Sequence, residues 1–398
     1  MALVSYTKSC SDKINPLPIR TPLYDGESLT SWIVRAGLNQ GCDYGAILYY
    51  HWSQQYALLQ CDFDKGFNAI DPKINEGLAI LARTSLEEIN QHTLITQTQA
   101  MGNEIKPNNK LKWVVPVIKT SKDKMTPYPF CHLCLREGKT AYLKYKWRYS
   151  WYVYCDVHKI AMSETCFNCD LPYQPFRIKV PNGHLNHCPH CDFELSHALT
   201  NLLVVDEAYE FQKNAEKVLS TNQCIIFNQT CDSKQWFELM LFYINLIRKS
   251  LLSNKKTNQH YRLLVRLGME TDGIPLVKPR TGLDFDLLPR HERIMLMAYA
   301  TRLSKIPLEK WLSVCKELKL SKSAFKLGKK PIIPVAFNPI FEKLVDKTVG
   351  NAKPIAKTPL KPKSVKAVTV SWERMKTKIA KLETYAKIKT DNKARKTT

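Results

Sequence analysis

Eight metal-ligand residues fall in four pairs between residues 131 and 191: Cys131-x₂-Cys134, Cys155-x₂-His158, Cys166-x₂-Cys169 and Cys188-x₂-Cys191. A two-residue gap lets the backbone turn until both side chains face one tetrahedral centre, and two such pairs complete a closed site. Thiolate and imidazole at this spacing point to Zn²⁺. Four pairs therefore predict two structural zinc ions, most simply a Cys₃His site followed by a Cys₄ site. Spacing alone leaves a cross-brace open, with the first pair joined to the third and the second to the fourth. Each site fills with four ligands, so no position stays free for substrate, and thiolates lower the Lewis acidity of the metal. A structural role is favoured over catalysis. His132, His184, His187 and His190 lie near the pairs. His190, inside Cys188-Pro-His-Cys191, is expected to face outward while the cysteines bind.

Other reactive constellations are sparse. There is no Gly-rich phosphate loop, no His-Glu-x-x-His and no Gly-x-Ser-x-Gly elbow. The pairs Glu87/Glu88 and Asp284/Asp286 read as a helix face and a loop, and no carboxylate cluster suggests a two-metal nuclease. The expectation is a protein that is not an enzyme. Cysteines outside the pairs, Cys10, Cys42, Cys61, Cys224 and Cys315 among them, are scattered and form no disulfide framework, which fits a reducing cytoplasm. The start of the chain lacks a signal-peptide layout. Trp236–Leu252 is the most apolar stretch, but Glu238, Asn245, Arg248 and Lys249 interrupt it, so it reads as a buried helix rather than a membrane span.

The formal net charge is +23. Such an imbalance repels itself in a folded chain, and a polyanion, nucleic acid first, is the expected compensation. Residues 351–398 carry 14 Lys or Arg against 3 acidic residues, a net +11. Pro354, Pro359 and Pro362 keep the first part of this tail extended, and Trp372–Ile388 has the composition of a basic helix. Candidate phosphate contacts there are Lys361, Lys363, Arg374, Lys376 and Lys378. A second group, Lys322, Lys326, Lys329 and Lys330, follows Leu308–Leu318 in a stretch that reads as helix, turn, helix.

The elements that must position these residues read as mainly α, with a small zinc-bound, β-containing module. The predicted organisation is a lead-in at 1–20, a helical domain at 21–126 and a double zinc-finger module at 127–197. A helical domain at 198–345 and a basic tail at 346–398 follow. Leu29, Trp32, Ile33 and Ala36 form one apolar helical stripe, with Asp25 or Ser28 as cap and Gly41 at its end. Asp43–Trp52 continues as a second helix. Residues 77–92 read as helix, turn, helix with a Ser85/Glu88 capping box, compatible with a helix-turn-helix or an ordinary helical corner. Ala141–Trp151 suggests a strand or hairpin. Phe211–Leu219, Trp236–Leu252, His291–Leu303 and Leu308–Leu318 are the clearest later helices.

Several blocks together resemble a known family. Cys131-His-Leu-Cys134-Leu-Arg-Glu-Gly138, Tyr142, Trp147, Tyr154-Cys155-Asp-Val-His158 and Thr165-Cys166-Phe-Asn-Cys169 are similar, in order, to the zinc region of TniQ proteins. Tyr24-Asp-Gly-Glu-Ser-Leu29 with Trp32, Arg35 and Ala36 resembles that family's opening helix, and 81–94 its helical corner. The resemblance covers 17–200 well. One departure is Lys159, where the family usually has Gly after the Cys-x-x-His histidine. The resemblance implies a cytoplasmic, nucleoid-associated bacterial adaptor that selects target sites for a cut-and-paste DNA transposon. Its implied partners are an AAA+ transposition regulator on one side and target DNA or a CRISPR Cascade–guide RNA complex on the other, with a homodimer as one assembly and no membrane. Length favours the guide-complex subfamily. The charge and tail favour the TnsD-type relatives, which bind an attachment site directly. A zinc-stabilised DNA-binding transcription regulator is the reading from another class.

Overall fold

A computed structural model describes residues 14–52, 61–66, 73–106, 110–117, 126–180, 183–197, 204–251, 258–269, 284–327, 331–346, 368–369, 372–373 and 375–376. The described chain is mainly helical. Its N-terminal helices are α1 (Leu29–Asn39), α2 (Tyr44–Trp52), α3 (Ile74–Ala82), α4 (Leu86–Gln91) and α5 (Ile95–Ala100). Ser28, not Asp25, caps α1, its Oγ accepting from Ser31 N at 3.1 Å. Gly41 follows the helix end at φ +74°, a conformation glycine adopts without strain. Ser85 caps α4 by accepting from Glu88 N at 3.1 Å, but the Glu88 carboxylate turns to the Thr84 hydroxyl instead of closing the capping box. The predicted α1 stripe is buried against Ile74, Leu78, Leu81 and Ile89.

Next come α6 (His132–Glu137) and α7 (Asp206–Thr221), then a hairpin of β1 (Cys224–Ile226) and β2 (Gln229–Cys231). The hairpin pairs Cys224 with Cys231, and its two-residue turn places both Phe227 and Asn228 at positive φ. Further helices among the described residues are α8 (Ser233–Leu251), α9 (Gln259–Arg266), α10 (Arg290–Ser304), α11 (Leu308–Glu317) and α12 (Asn338–Phe341). α10 packs on α7 and α8, and α9 on α8. The apolar faces of α7, α8 and α10 merge with Trp113, Trp147 and Trp151 into one core. No helix among the described residues is long and apolar enough to cross a membrane.

Three expectations need correction. Ala141–Trp151 is not a strand: Tyr145–Arg148 forms a 3₁₀ turn, and only isolated bridges such as Glu27 with Lys144 and Val114 with Tyr149 flank it. Alternation would have turned every second residue outward, whereas residues 147–155 are all buried. After α11, Lys322–Phe325 is a single 3₁₀ turn whose Ala324 and Phe325 enter the core, so no second helix of a helix-turn-helix exists there. Asp286 lies in no exposed loop. It is buried and accepts from Ser150 Oγ at 2.6 Å, while Asp284 pairs with Lys110.

Residues 1–346 make one compact unit and 347–398 another. In the first, buried polar contacts join the helical N-terminus to the cysteine-bearing region. Arg148 Nη1 donates to Asp62 Oδ1 (2.9 Å) and Asp64 Oδ2 (2.7 Å), Nη2 to Asp62 Oδ2 (2.7 Å) and Val115 O (2.9 Å), and Nε to Val115 O (3.2 Å). Asp64 also accepts from Thr30 N at 2.8 Å, at the start of α1. On the other side, Gln212 of α7 accepts from the Val153 and Tyr154 amides at 3.0 Å each and donates to Tyr154 O at 2.9 Å. A side-chain amide there does what a neighbouring strand would do. In the second unit, Val368, Thr369, Trp372, Glu373, Met375 and Lys376 are helical.

Candidate metal centres

The eight paired residues gather into two groups, and the pairing is sequential. Cys131, Cys134, Cys155 and His158 form one, Cys166, Cys169, Cys188 and Cys191 the other, with all ligand atoms of a group within 4.8 Å of one another. In the first, His158 Nδ1 lies 3.5 Å from Cys131 Sγ, 3.4 Å from Cys134 Sγ and 3.5 Å from Cys155 Sγ, and Cys134 and Cys155 sulfurs are 3.6 Å apart. In the second, Cys166–Cys191 and Cys169–Cys188 sulfurs are 3.6 and 3.7 Å apart. A tetrahedron with metal–sulfur bonds of about 2.3 Å and metal–nitrogen bonds of about 2.0 Å has edges of about 3.8 Å (S–S) and about 3.5 Å (S–N). The observed edges match, so each group can hold one ion with four donors.

Three of the four pairs are built by the same eight-residue turn. Tyr154 bridges Ala161, Thr165 bridges Pro172 and His187 bridges Glu194. Inside each, the amide four residues after the first ligand returns to that ligand's carbonyl: Lys159 N to Cys155 O (2.8 Å), Asp170 N to Cys166 O and Asp192 N to Cys188 O (3.0 Å each). To close this loop the residue after the second ligand must be left-handed, and Lys159, Asp170 and Asp192 have φ of 53°, 56° and 59°. Lys159 thus adopts the conformation a Gly would take there without strain. Backbone amides of His158, Asn168 and His190 point at the sulfurs of Cys155, Cys166 and Cys188 (3.5, 3.4 and 3.4 Å), fixing their lone pairs. The fourth pair is different: Cys131 immediately precedes α6 and Cys134 lies within it.

The electrostatics call for a cation. Hydrogen bonds from Cys131 and Cys134 hold the Cys155 thiol far below its ordinary range, and Cys131 and Cys155 push the Cys134 thiol far up. One thiolate is thus stabilised by neighbours that must stay protonated, whereas a metal ion would deprotonate them all. His158 Nε2 sits 2.7 Å from Glu137 Oε2, which leaves Nδ1 as the ligand atom and holds the ring in place. Sequence reasoning missed Glu137, although it lies three residues beyond Cys134.

The neighbouring histidines stay outside both groups. His132 packs edge-on against Phe167, and His187 Nδ1 faces Asp192 at 3.0 Å. His190 does not face outward as expected: its Nε2 is buried with no hydrogen-bond partner, and burial lowers its pKa.

Residues 18–162 match the family model TniQ. The chain carries a TniQ domain. No curated protein matches the chain. The TniQ match spans α1 to α6 and the whole Cys₃His group but stops short of Cys166, so the Cys₄ group lies beyond it. A TniQ domain implies a role associated with target-site selection in transposition.

Of the expected nucleic-acid contacts, Lys322, Lys326 and Lys376 lie within the described residues. Lys322 is half-buried and faces Glu342 (3.5 Å) and Asp346 (3.4 Å), which neutralise it locally. Lys326 is exposed, and Lys376 is exposed on a helical segment beside Glu373 (3.2 Å). Lys329, Lys330, Lys361, Lys363, Arg374 and Lys378 lie outside the described residues.

Proposed function

We propose that this protein is a zinc-binding, non-catalytic adaptor for target-site selection in DNA transposition, coupling target DNA or a Cascade–guide RNA complex to an AAA+ regulator. The observation that carries the reading is the TniQ match over residues 18–162, whose helices are hydrogen-bonded to the segment bearing the Cys₃His group. An adaptor must deliver its partner at a fixed offset from the target, and buried contacts plus two metal clamps supply stiffness without a large core. Four donors per group leave no open coordination position, which supports a structural role for each ion, and a sulfur-rich tetrahedral set suits zinc. In this reading residues 21–126 and 127–197 act as one body, and 198–345 with the tail 346–398 make the nucleic-acid or complex contacts.

A second reading, direct binding of an attachment site in the TnsD manner, draws on the charge of +23 and the net +11 of the tail. The deciding experiment is transposition in cells carrying the neighbouring transposase and ATPase genes, with and without this protein. Targeted insertion that persists after its deletion refutes the adaptor reading. Dependence on guide RNA separates the two forms of it.

A further inference from the structure

A cleft of about 480 Å³ opens between α1, the end of α6 and residues 183–197. Its construction depends on both cysteine groups. One wall is α6 and the segment behind it, pinned at Cys131 and Cys134. The opposite wall is the turn that carries Cys188 and Cys191, and α6 packs directly on residues 195–197. The third side is the last half of α1, contributing Arg35, Leu38 and Asn39.

The charges in this cleft are unequally satisfied. Arg35 is consumed by Glu27, with Nε donating to Oε1 at 2.7 Å and Nη2 to Oε2 at 2.5 Å. Glu194 is the sole carboxylate among the lining residues, and it already accepts from Ser196 Oγ (2.6 Å) and Asn186 Nδ2 (3.3 Å) and faces His197 Nε2 (3.5 Å). Arg136 and Lys139, by contrast, are exposed and have no ionic partner among the described residues. The imidazoles of His184 and His197 stand on the opposite wall as further donors. Leu38, Leu135 and Leu185 supply the apolar part of the lining. The cleft is therefore a concave site with two unpaired cations, further hydrogen-bond donors and little acidity.

We propose that this cleft binds the phosphodiester backbone of a single nucleic-acid strand, with Arg136 and Lys139 contacting its phosphate oxygens. The inference rests on the nucleic-acid side of the function proposed above and adds, within residues 35–197, a surface to the contacts placed there in 198–398. Single-stranded backbone fits a concave site of this volume, whereas duplex DNA is read by convex elements that enter its grooves. No Phe, Tyr or Trp lines the cleft and the proposed contacts are to phosphate, so binding is expected to tolerate any sequence. The cysteine groups then gain a purpose beyond stability: they set the spacing of the two walls.

The test is anisotropy of labelled 12-mers of oligo-U and oligo-dT with the full chain, for the wild type and for Arg136→Ala/Lys139→Ala, across a salt series. Metal content and melting temperature are measured alongside to show that the variant is folded. Two lost phosphate contacts flatten the slope of log K against log salt by about 1.4, at about 0.7 per contact on single strands. The affinity gap between the two proteins should accordingly close by about 25-fold over a decade of salt. The relative loss on oligo-U and oligo-dT tells whether RNA or DNA is the source. An unchanged slope overturns the proposal. So does an equal loss on duplex DNA, or a poly-glutamate peptide that competes as well as the oligonucleotides. If wild type supports targeted insertion while the slope is unchanged, the cleft assignment falls and the adaptor reading stands.

Discussion

Replacing Arg148 with Met should nearly unfold the protein at neutral pH, by an amount the structure allows to be worked out. The guanidinium is fully buried, and its donors reach Asp62, Asp64 and the carbonyl of Val115. Breaking a buried ion pair by removing one partner costs about 3–5 kcal/mol. The orphaned carbonyl adds about 1–3 kcal/mol. The sum, about 4–8 kcal/mol, is comparable to the whole stability of an ordinary domain, about 5–15 kcal/mol. The pH dependence gives a sharper check. Burial alone would raise Asp62, but Arg148 more than reverses this and holds it below the usual carboxylate range. In the wild type that contribution is present above the unfolded carboxylate pKa and is lost as pH falls through the depressed folded value. In Arg148→Met both acids are raised by burial, so the deficit is largest near pH 7.5 and shrinks toward pH 5 as they protonate. Urea denaturation of metal-loaded protein at the two pH values measures it. A loss below about 1 kcal/mol, against the 3–5 expected of a broken buried pair, or a deficit that ignores pH, would refute the reasoning.

The other expectations are briefer. Cys131→Ser or Cys169→Ser should unfold residues 127–197 and drop the metal content below two ions per chain, because such sites contribute about 10–16 kcal/mol. Elemental analysis with circular dichroism tests this, and folded variants at full metal content count against it. Lys159→Gly should raise stability by up to about 1 kcal/mol by removing left-handed strain, and Lys159→Ile should lower it; melting temperatures in the reverse order contradict the turn geometry. Burial raises Asp286 to about 6, so its share of stability is full below the unfolded value of about 3.9 and is lost as pH rises through about 6. Asp286→Asn should remove that decline, worth about 3 kcal/mol at most, from a plot of stability against pH. Deleting residues 351–398 should weaken nucleic-acid binding without sequence preference and flatten its salt slope by about 0.7–0.9 per lost contact; an unchanged slope makes the tail a solubility arm.

What the sequence disclosed depended on the range of the forces involved. Ligand pairs are local, so the eight residues could be read directly, but which pairs share an ion depends on docking and emerged only in three dimensions. The left-handed residue after the second ligand had a visible trace in Lys159, where a related sequence would have Gly. Long amphipathic stretches gave α1, α7, α8, α10 and α11. The six residues of α5 and the eight of α9, though α9 is amphipathic, are too short a run to stand out, and the Phe227-Asn228 turn has no glycine to announce it. The stretch 141–151 alternates in composition, yet helices close over both of its faces and hide every residue from 147 on. Nothing near Arg148 in sequence points to Asp62, 86 residues away, and nothing near Lys322 points to Glu342 and Asp346.

The compact ligand turns also set an order of events during synthesis. The first cysteine group closes over 27 residues and the second over 25, whereas Arg148 to Asp62 spans 86 and Arg293 to Ser150 spans 143. Closing 86 residues rather than 27 costs about 1 kcal/mol more chain entropy, before any contact repays it. At about 5–20 residues per second, residue 293 leaves the ribosome about 7–27 s after residue 158. A metal ion bound by these groups would therefore be captured while the chain is still growing, and α7 and α10 would dock onto walls that it had already fixed. A cell short of that metal would lose the protein as it is made, with no folded metal-free reserve to load later.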